Sequence, residues 1–259
     1  MIFDCHTHIR FIKKDNAFSD LPKLMQAMDK TEVDKACVLF SPERTVGYFF
    51  SREDCIQTAE GIINISPEYS GRIKSLLCLN PNLPFDFNYE IIEKYIINGP
   101  IDGVKISIQM NSRDKRFNPV AELLQEYDIP LLFHTWYKTA NKYVYESDPS
   151  DIADLASRFP KLRILMAHLT GCGKRGVQDI RRFDNVFIDT SGSQPEDGYL
   201  EYVLNMLGAD RILFGSDYPG REIAVQLGRI YSVDMNDRQR EKILYENAVS
   251  FFTKGGRCR

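Results

Sequence analysis

The sequence contains four histidines, and each stands where a short apolar run ends or has just ended. His6 and His8 follow the first such run of the chain, His134 ends the fifth, and His168 ends the sixth. Neutral imidazole is a common ligand of Zn²⁺ and related ions, and it also exchanges protons near neutral pH. These four residues are therefore the first candidates for a metal site or an acid–base site.

The spacing of His6 and His8 suits a pair of metal ligands. Side chains of a β-strand alternate between its two faces, so two residues separated by one point the same way if the strand continues through them. Asp217 follows the eighth apolar run, in the string FGSDYP, and offers carboxylate oxygens. If eight strands close into a barrel, the eighth lies beside the first, and Asp217 then flanks the histidine pair.

Each of these residues also has an ordinary structural interpretation. A single buried histidine is more often a hydrogen-bonded core residue than a ligand, and Asp217 could be a helix N-cap or a loop carboxylate. Four histidines that all lie at strand ends, with none elsewhere in the chain, favour a shared functional site instead.

Eight apolar runs are rich in Val, Ile, Leu and Phe, which is typical of strands that are covered on both faces. The predicted strands are Met1–Cys5, Lys35–Phe40, Ile73–Leu79, Gly103–Ile108, Pro130–His134, Arg163–His168, Asn185–Asp189 and Arg211–Gly215. Segments with the apolar spacing of helices lie between them, and two more, Arg221–Tyr231 and Asp237–Phe252, follow the last strand.

A helix after every strand predicts a (β/α)₈ TIM barrel that forms a single domain over residues 1–259, with an open doubly wound parallel sheet as the alternative. In such a barrel the carboxyl ends of the strands form one rim, and active sites lie there. We therefore expect the four histidines and Asp217 to meet at that rim.

The composition limits the class of protein further. The 259 residues suit one barrel, 43% of them are hydrophobic, and the mean hydropathy is −0.31. The net charge of −3 gives no indication of a nucleic-acid partner, and no apolar run reaches the roughly 18 residues of a membrane span. Scattered cysteines without a CxxC pair, and an N-terminus without the features of a signal peptide, favour a cytoplasmic protein. We expect a small-molecule substrate, and the choice between a monomer and a homo-oligomer stays open.

Several strings keep a characteristic order along the chain. They are DCHTH at 4–8, GVK at 103–105, PLLFH at 130–134, ILMAHLTG at 164–171, VFIDTSG at 186–192, RILFGSDYP at 211–219 and ILYENA at 243–248. Together they resemble the amidohydrolase superfamily, and most closely its amidohydrolase-2 group of barrel metal-dependent hydrolases. The resemblance spans nearly the whole chain.

The resemblance implies a ligand set as well as a fold. It implies one catalytic divalent metal ion, zinc or alternatively manganese, held by His6, His8, His134 and Asp217. It gives His168 the place of a catalytic residue, which in two-metal members of the superfamily is a ligand of the second ion.

This ligand set leads to a hydrolase as the first hypothesis. A bound ion lowers the pKa of its water from about 15.7 toward 7. Asp217 would serve as both ligand and general base, and His168 would contact the substrate carbonyl or protonate a leaving group. The reaction is then attack of water on an ester, lactone or amide carbon.

Four residues at or just beyond strand ends are candidates for substrate binding, namely Lys105, Arg10, Trp136 and Arg221. The cations suit an anionic substrate, and the single tryptophan suits a pocket wall. Lys105 has two further interpretations, a structural ion pair or a carbamylated lysine that bridges two metal ions. Its surroundings, GVKISIQ, contain no extra His or Glu for a second ion, so one ion is favoured.

Two alternatives stay open. Relatives of the resembled group decarboxylate aromatic or dienoic acids on the same metal site. Those enzymes tend to carry long insertions after the first strand, whereas about 25 residues separate His8 from the second strand here, which favours hydrolysis. The other alternative is a barrel that binds a metal or ligand without catalysis.

Overall fold

The structure is a computed structural model that describes residues 1–13, 17–43, 48–69, 71–138, 140, 142–192 and 196–253, with the backbone alone at Thr170. Within these residues eight parallel strands pair in chain order, so that each strand lies between its sequence neighbours. They are β1 (Phe3–Arg10), β2 (Lys35–Ser41), β3 (Ile73–Cys78), β4 (Gly103–Ile106), β5 (Leu131–Phe133), β6 (Ile164–Met166), β7 (Val186–Asp189) and β8 (Ile212–Leu213). The predicted TIM barrel is confirmed.

Helices follow the strands and cover the outside of the barrel. They are α1 (Leu21–Lys30), α2 (Arg52–Tyr69), α3 (Phe85–Ile92), α4 (Asn118–Glu126), α5 (Pro149–Arg158), α6 (Leu169–Ile180), α7 (Tyr199–Leu207), α8 (Ile223–Tyr231), α9 (Asp237–Glu241) and α10 (Asn247–Phe252). A π-helical turn extends α3 over Glu93–Ile97, and a second one joins α9 to α10 over Lys242–Glu246. None of the helices in the described residues has the length and hydrophobicity that crossing a membrane requires.

Most strands begin or end one or two residues from their predicted bounds, and β1 differs most. Strand β1 runs on to Arg10, because pairing with β2 continues through His8 and Ile9 after an irregularity between Asp4 and Thr7. Helix α6 begins at Leu169, although the glycine-rich string GCGKRG within it lacks the apolar spacing of a helix. Gly173 has a non-helical φ of 63° inside that helix, so the glycines mark a kink and not a loop.

The barrel closes between β1 and the segment that follows β8. Three backbone hydrogen bonds join them: Cys5 N donates to Phe214 O at 2.8 Å, Asp217 N to His6 O at 2.7 Å, and His8 N to Tyr218 O at 2.7 Å. A Cβ on Gly215 would lie only 3.0 Å from the Cβ of His6, so glycine permits the close approach. This closure brings Asp217 beside His6 and His8.

Asp4 supports the closure from inside the barrel. Its side chain is fully buried, and Oδ1 accepts hydrogen bonds from the backbone N–H of Ser216 at 2.9 Å and of His6 at 3.1 Å. Burial raises the pKa of Asp4 to about 6, against the opposing effect of the hydrogen bonds from Ser216 and His6. Asp4 therefore contacts the backbone of His6, and it orients this part of the site through the main chain.

We predict that Asp4→Ala lowers the free energy of unfolding by about 2–4 kcal/mol, because two buried N–H groups lose their acceptor. Asp4→Asn keeps a carbonyl oxygen at the same place and should cost less than half as much. Urea unfolding of the three proteins at neutral pH measures this. Equal stability of the alanine variant and the unsubstituted protein would contradict the role of Asp4 in closure.

Candidate metal centre and active site

His6, His8 and Asp217 meet at the carboxyl-end rim of the barrel. The Nε2 atoms of the two histidines lie 3.0 Å apart. Asp217 Oδ1 lies 3.1 Å from His8 Nε2 and 3.7 Å from His6 Nε2. Asp217 lies more than 200 residues from the two histidines in the sequence. In the structure, the ligand atoms of all three side chains lie within 3.7 Å of one another.

His168 joins this group from the end of β6. Its Nε2 lies 4.0 Å from Asp217 Oδ2, and the ligand atoms of His6, His168 and Asp217 all lie within 4.8 Å of one another. Both His168 and Asp217 have a left-handed backbone, with φ of 71° and 65°. This conformation is costly for residues other than glycine and is concentrated at functional sites, where surrounding structure maintains it.

His134 lies beside this group but is turned to another partner. Its ring centre is 4.9 Å from that of His168, while its Nε2 lies 2.9 Å from Glu146 Oε1. In this conformation Nε2 of His134 is hydrogen-bonded to a carboxylate and is not directed at Asp217. The assignment of His134 as a metal ligand, which came from the resemblance, stays a prediction.

Asp189, the last residue of β7, determines which nitrogen of His6 carries a proton. Its Oδ2 lies 2.7 Å from His6 Nδ1, and both residues are fully buried. Burial opposes ionisation, but the interactions with His6 prevail and hold the pKa of Asp189 below its ordinary value. A carboxylate only accepts hydrogen bonds, so Nδ1 of His6 donates to it and the lone pair of Nε2 faces His8 and Asp217. Ligand histidines in metal sites commonly have such a carboxylate partner.

Burial also sets the charges of the cluster. It lowers the pKa of His8 to about 4 and lowers the pKa values of His134 and His168 from their ordinary value. Burial alone would raise the pKa of Asp217, but the hydrogen bond with His8 outweighs it, and that pKa is lowered. At neutral pH the imidazoles of His8, His134 and His168 are therefore uncharged beside the carboxylate of Asp217, and such nitrogen and oxygen donors suit one divalent cation.

A cavity of about 390 Å³ opens from this cluster. His8, His168 and Asp217 form one part of its wall, and the side chains of Tyr48, Trp136 and Tyr143 contribute aromatic surface. The remaining wall includes two lysines, Lys105 and Lys138, and the carboxylate of Glu146. The volume lies within the usual range of sites for small molecules.

Lys105 contributes a buried positive charge to the cavity. The residue is 1% exposed, and among the described residues Nζ has no hydrogen-bond partner. Burial lowers the pKa of Lys105 to about 8, so most of the side chain is still protonated at neutral pH. No ion pair within the described residues accounts for Lys105, which favours its predicted role as a contact to an anionic ligand over the structural interpretation.

The other predicted substrate contacts have different positions. Trp136 lines the cavity, with its ring centre 5.2 Å from that of His168. Arg10 and Arg221 are exposed and lie outside the set of residues that line the cavity. Helix α8 begins at Ile223, so Arg221 lies in the preceding turn.

The sequence analysis did not identify Asp189, Lys138 or Glu146 as site residues. Asp189 could have been predicted, since it ends a predicted strand at the same rim as the histidines. Lys138 and Glu146 lie in the segment between β5 and α5, which has no apolar periodicity. Their positions follow from tertiary contacts alone.

A family model described as amidohydrolase matches residues 3–254. No curated protein matches the chain significantly.

Solved structures match over nearly the full length of the chain. A 5-carboxyvanillate decarboxylase from Sphingomonas paucimobilis is 16% identical with a TM-score of 0.77, and the match covers 98% of this chain and 99% of that one. A dihydroxybenzoic acid decarboxylase from a Polaromonas species, with bound manganese and the inhibitor 2-nitroresorcinol, is 14% identical with a TM-score of 0.70, covering 97% and 96%. A protein from Pseudomonas putida assigned as a 2-pyrone-4,6-dicarboxylic acid hydrolase is 14% identical with a TM-score of 0.67, covering 97% of each chain. At these identities the similarity shows the fold alone.

We predict that the metal-free protein loses stability as the pH falls from about 6.5 to 4. The folded state has the lower pKa at His8, so the unfolded chain binds the proton more readily over this interval. His134 and His168 shift in the same direction. Thermal unfolding in the presence of a chelator, at a series of pH values, measures the effect. His8→Gln should give a smaller dependence on pH, and an unchanged dependence would show that His8 is not the group responsible.

Proposed function

The chain belongs to the amidohydrolase family, and from this premise we propose that it is a metal-dependent enzyme that decarboxylates a small planar acid. The proposal rests on one observation, that the candidate metal centre forms part of the cavity wall. His8, His168 and Asp217 belong to that centre and also line the cavity, which has aromatic and cationic surface. A planar anion placed in this cavity would lie directly against the ligand atoms.

We propose that His6, His8 and Asp217 hold one divalent cation, with His134 and His168 adjacent to it. When bound, the cation supplies Lewis-acid polarisation of a carboxylate or carbonyl oxygen. Asp189 keeps the lone pair of His6 Nε2 directed at the site through the hydrogen bond at Nδ1. The manganese in the Polaromonas decarboxylase makes Mn²⁺ as reasonable a choice as Zn²⁺.

The remaining wall binds and orients the substrate. Lys105 offers an ammonium group without a partner among the described residues, which attracts an acid group into the cavity. Trp136 and Tyr143 offer flat faces against which an unsaturated ring packs. These contacts hold the plane of the ring and so direct its carboxyl group toward the histidine cluster.

Loss of carbon dioxide breaks a carbon–carbon bond and leaves the electron pair on the ring carbon, which must then take up a proton. We assign this proton transfer to Asp217, whose carboxylate faces both the cavity and the imidazoles. The carboxylate takes a proton from water and passes it to the ring carbon, and the hydroxide that is left combines with the released carbon dioxide as bicarbonate. His168 Nε2, 4.0 Å from Asp217 Oδ2, is near enough to exchange a proton with that carboxylate after a small movement.

Hydrolysis of a lactone, ester or amide is the second candidate. The observation that favours it is the lowered pKa of Asp217, since a carboxylate that stays ionised accepts a proton from water more readily than it donates one. Chain length does not separate the two candidates, because the match covers 99% of the Sphingomonas decarboxylase. The short segment after β1 therefore does not favour hydrolysis over decarboxylation.

The two reactions are distinguished by their products. We expect protein loaded with Mn²⁺ to release carbon dioxide from 5-carboxyvanillate or 2,6-dihydroxybenzoate, as followed by a coupled bicarbonate assay, and a chelator to abolish the release. Asp217→Asn should lower kcat by about 10³-fold or more, as loss of a proton-transfer group does. Asp210→Asn is the control, because Asp210 is exposed and pairs with Lys242 away from the site.

Ring opening of 2-pyrone-4,6-dicarboxylate, seen as loss of its ultraviolet absorbance without release of carbon dioxide, would establish the hydrolase instead. Metal-loaded protein that transforms none of these compounds would contradict the proposed decarboxylase.

A further inference from the structure

The described residues between β5 and α5 include several that face the cavity. This β5–α5 loop is joined at its base where Trp136 N donates to Ser147 O at 3.0 Å, beside a bridge between Thr135 and Ser147. From this loop Trp136, Lys138, Tyr143 and Glu146 all face the cavity. This loop thus supplies four of the twelve described residues that line the cavity, including one of the two ammonium groups among them.

The ammonium group of Lys138 is held from several sides. Nζ lies 2.9 Å from Glu146 Oε1, 4.8 Å from the ring centre of Tyr143 and 5.7 Å from that of Trp136. Glu146 is fully buried, and its Oε1 also contacts His134 Nε2, while Oε2 accepts from the backbone N–H of Tyr143. The charge of Lys138 is therefore placed by a carboxylate that is itself fixed, between two aromatic faces.

This arrangement leaves Lys138 able to bind a further acceptor. An ammonium group has three N–H donors. Among the described residues Glu146 supplies the one acceptor oxygen within hydrogen-bond distance of Nζ, and that oxygen is shared with His134. Aromatic faces attract the charge, but they do not replace a hydrogen bond to an oxygen anion.

The charges around the cavity favour an acidic ligand. Among the described residues, the lining contains two lysines, Lys105 and Lys138, and two carboxylates, Glu146 and Asp217, beside uncharged imidazoles. A divalent cation in the proposed centre gives these lining residues an excess of two positive charges, whereas the carboxylates of Asp189 and Asp4 lie behind His6 and do not line the cavity. A ligand that carries acid groups balances this excess in a site of low dielectric.

We propose that Lys138 determines substrate specificity by binding a second acid group of the planar substrate, remote from the group that reacts. Glu146 is the positioning residue that holds Lys138 for this contact. The inference rests on the proposed function for where the reacting carboxyl group lies, namely at the histidine cluster. The substrate class is accordingly a ring with two acid groups, one at the histidine cluster and one at the β5–α5 loop.

Binding of isophthalate and of benzoate to the Mn²⁺-loaded full chain, measured by titration calorimetry, tests this inference without turnover. A charge-assisted hydrogen bond is worth about 10- to 100-fold in affinity. The unsubstituted protein should therefore bind isophthalate about tenfold or more tightly than benzoate. Lys138→Met and Lys138→Gln should remove this preference, so that the two acids bind with affinities within about twofold of each other. Lys138→Arg keeps the charge and should restore most of the preference.

Lys142→Met is the matched control, because Lys142 belongs to the same loop but pairs with Asp148 and does not line the cavity. It should keep the full preference for isophthalate. Equal binding of both acids by the unsubstituted protein, or a preference that survives in folded Lys138→Met and Lys138→Gln, would overturn the inference. If the preference is present but no carbon dioxide is released from any carboxylated arene, the proposed function fails and the assignment of Lys138 stands.

Discussion

The site depends on the hydrogen bonds that close the barrel between β1 and the segment after β8. Three backbone bonds join Cys5, His6 and His8 to Phe214, Asp217 and Tyr218, each at 2.7–2.8 Å. They fix Asp217 at the same height as the two histidines of β1. Without this closure the carboxylate and the imidazole pair would belong to opposite edges of an open sheet, and no shared ligand group would form.

Closure also fixes the chemistry of the ligand atoms. Asp189 holds the Nδ1 proton of His6, and burial keeps the neighbouring imidazoles uncharged at neutral pH. His168 and Asp217 both have a left-handed backbone, and His168 Nε2 lies 4.0 Å from Asp217 Oδ2. Unfavourable backbone conformations and buried negative charge therefore occur together at the candidate metal centre. A bound cation would offset that negative charge.

The sequence predicted the parts of this arrangement that follow from periodicity. Apolar runs located the eight strands, and strand alternation placed His6 and His8 on one face. Burial on both faces produces a strong pattern, so the core elements were readable. The order of strands in a closed barrel then placed Asp217 beside the pair, and the structure brings these three together.

Apolar periodicity does not locate the site residues that lie in irregular segments, so the sequence did not predict them. Glu146 reaches His134 across twelve residues of irregular loop, and no local preference encodes that contact. The same contact separates His134 from the histidine group, although its strand position resembles that of a ligand. Arg10 and Arg221 were predicted as substrate contacts because they lie near strand ends, but neither lines the cavity. Whether a side chain faces the cavity depends on its orientation, and the sequence of an irregular segment does not reveal that orientation. The resemblance alone also did not distinguish zinc from manganese or hydrolysis from decarboxylation.

The central claim is that one cation is bound where β1 and the end of β8 meet. Crystals of the protein grown with Mn²⁺, and diffraction data collected at the manganese absorption edge, test it most directly. The account predicts a single anomalous peak per chain, within bonding distance of the Nε2 atoms of His6 and His8 and of a carboxylate oxygen of Asp217. A peak elsewhere in the chain, or no peak at this position in metal-loaded crystals, would contradict it.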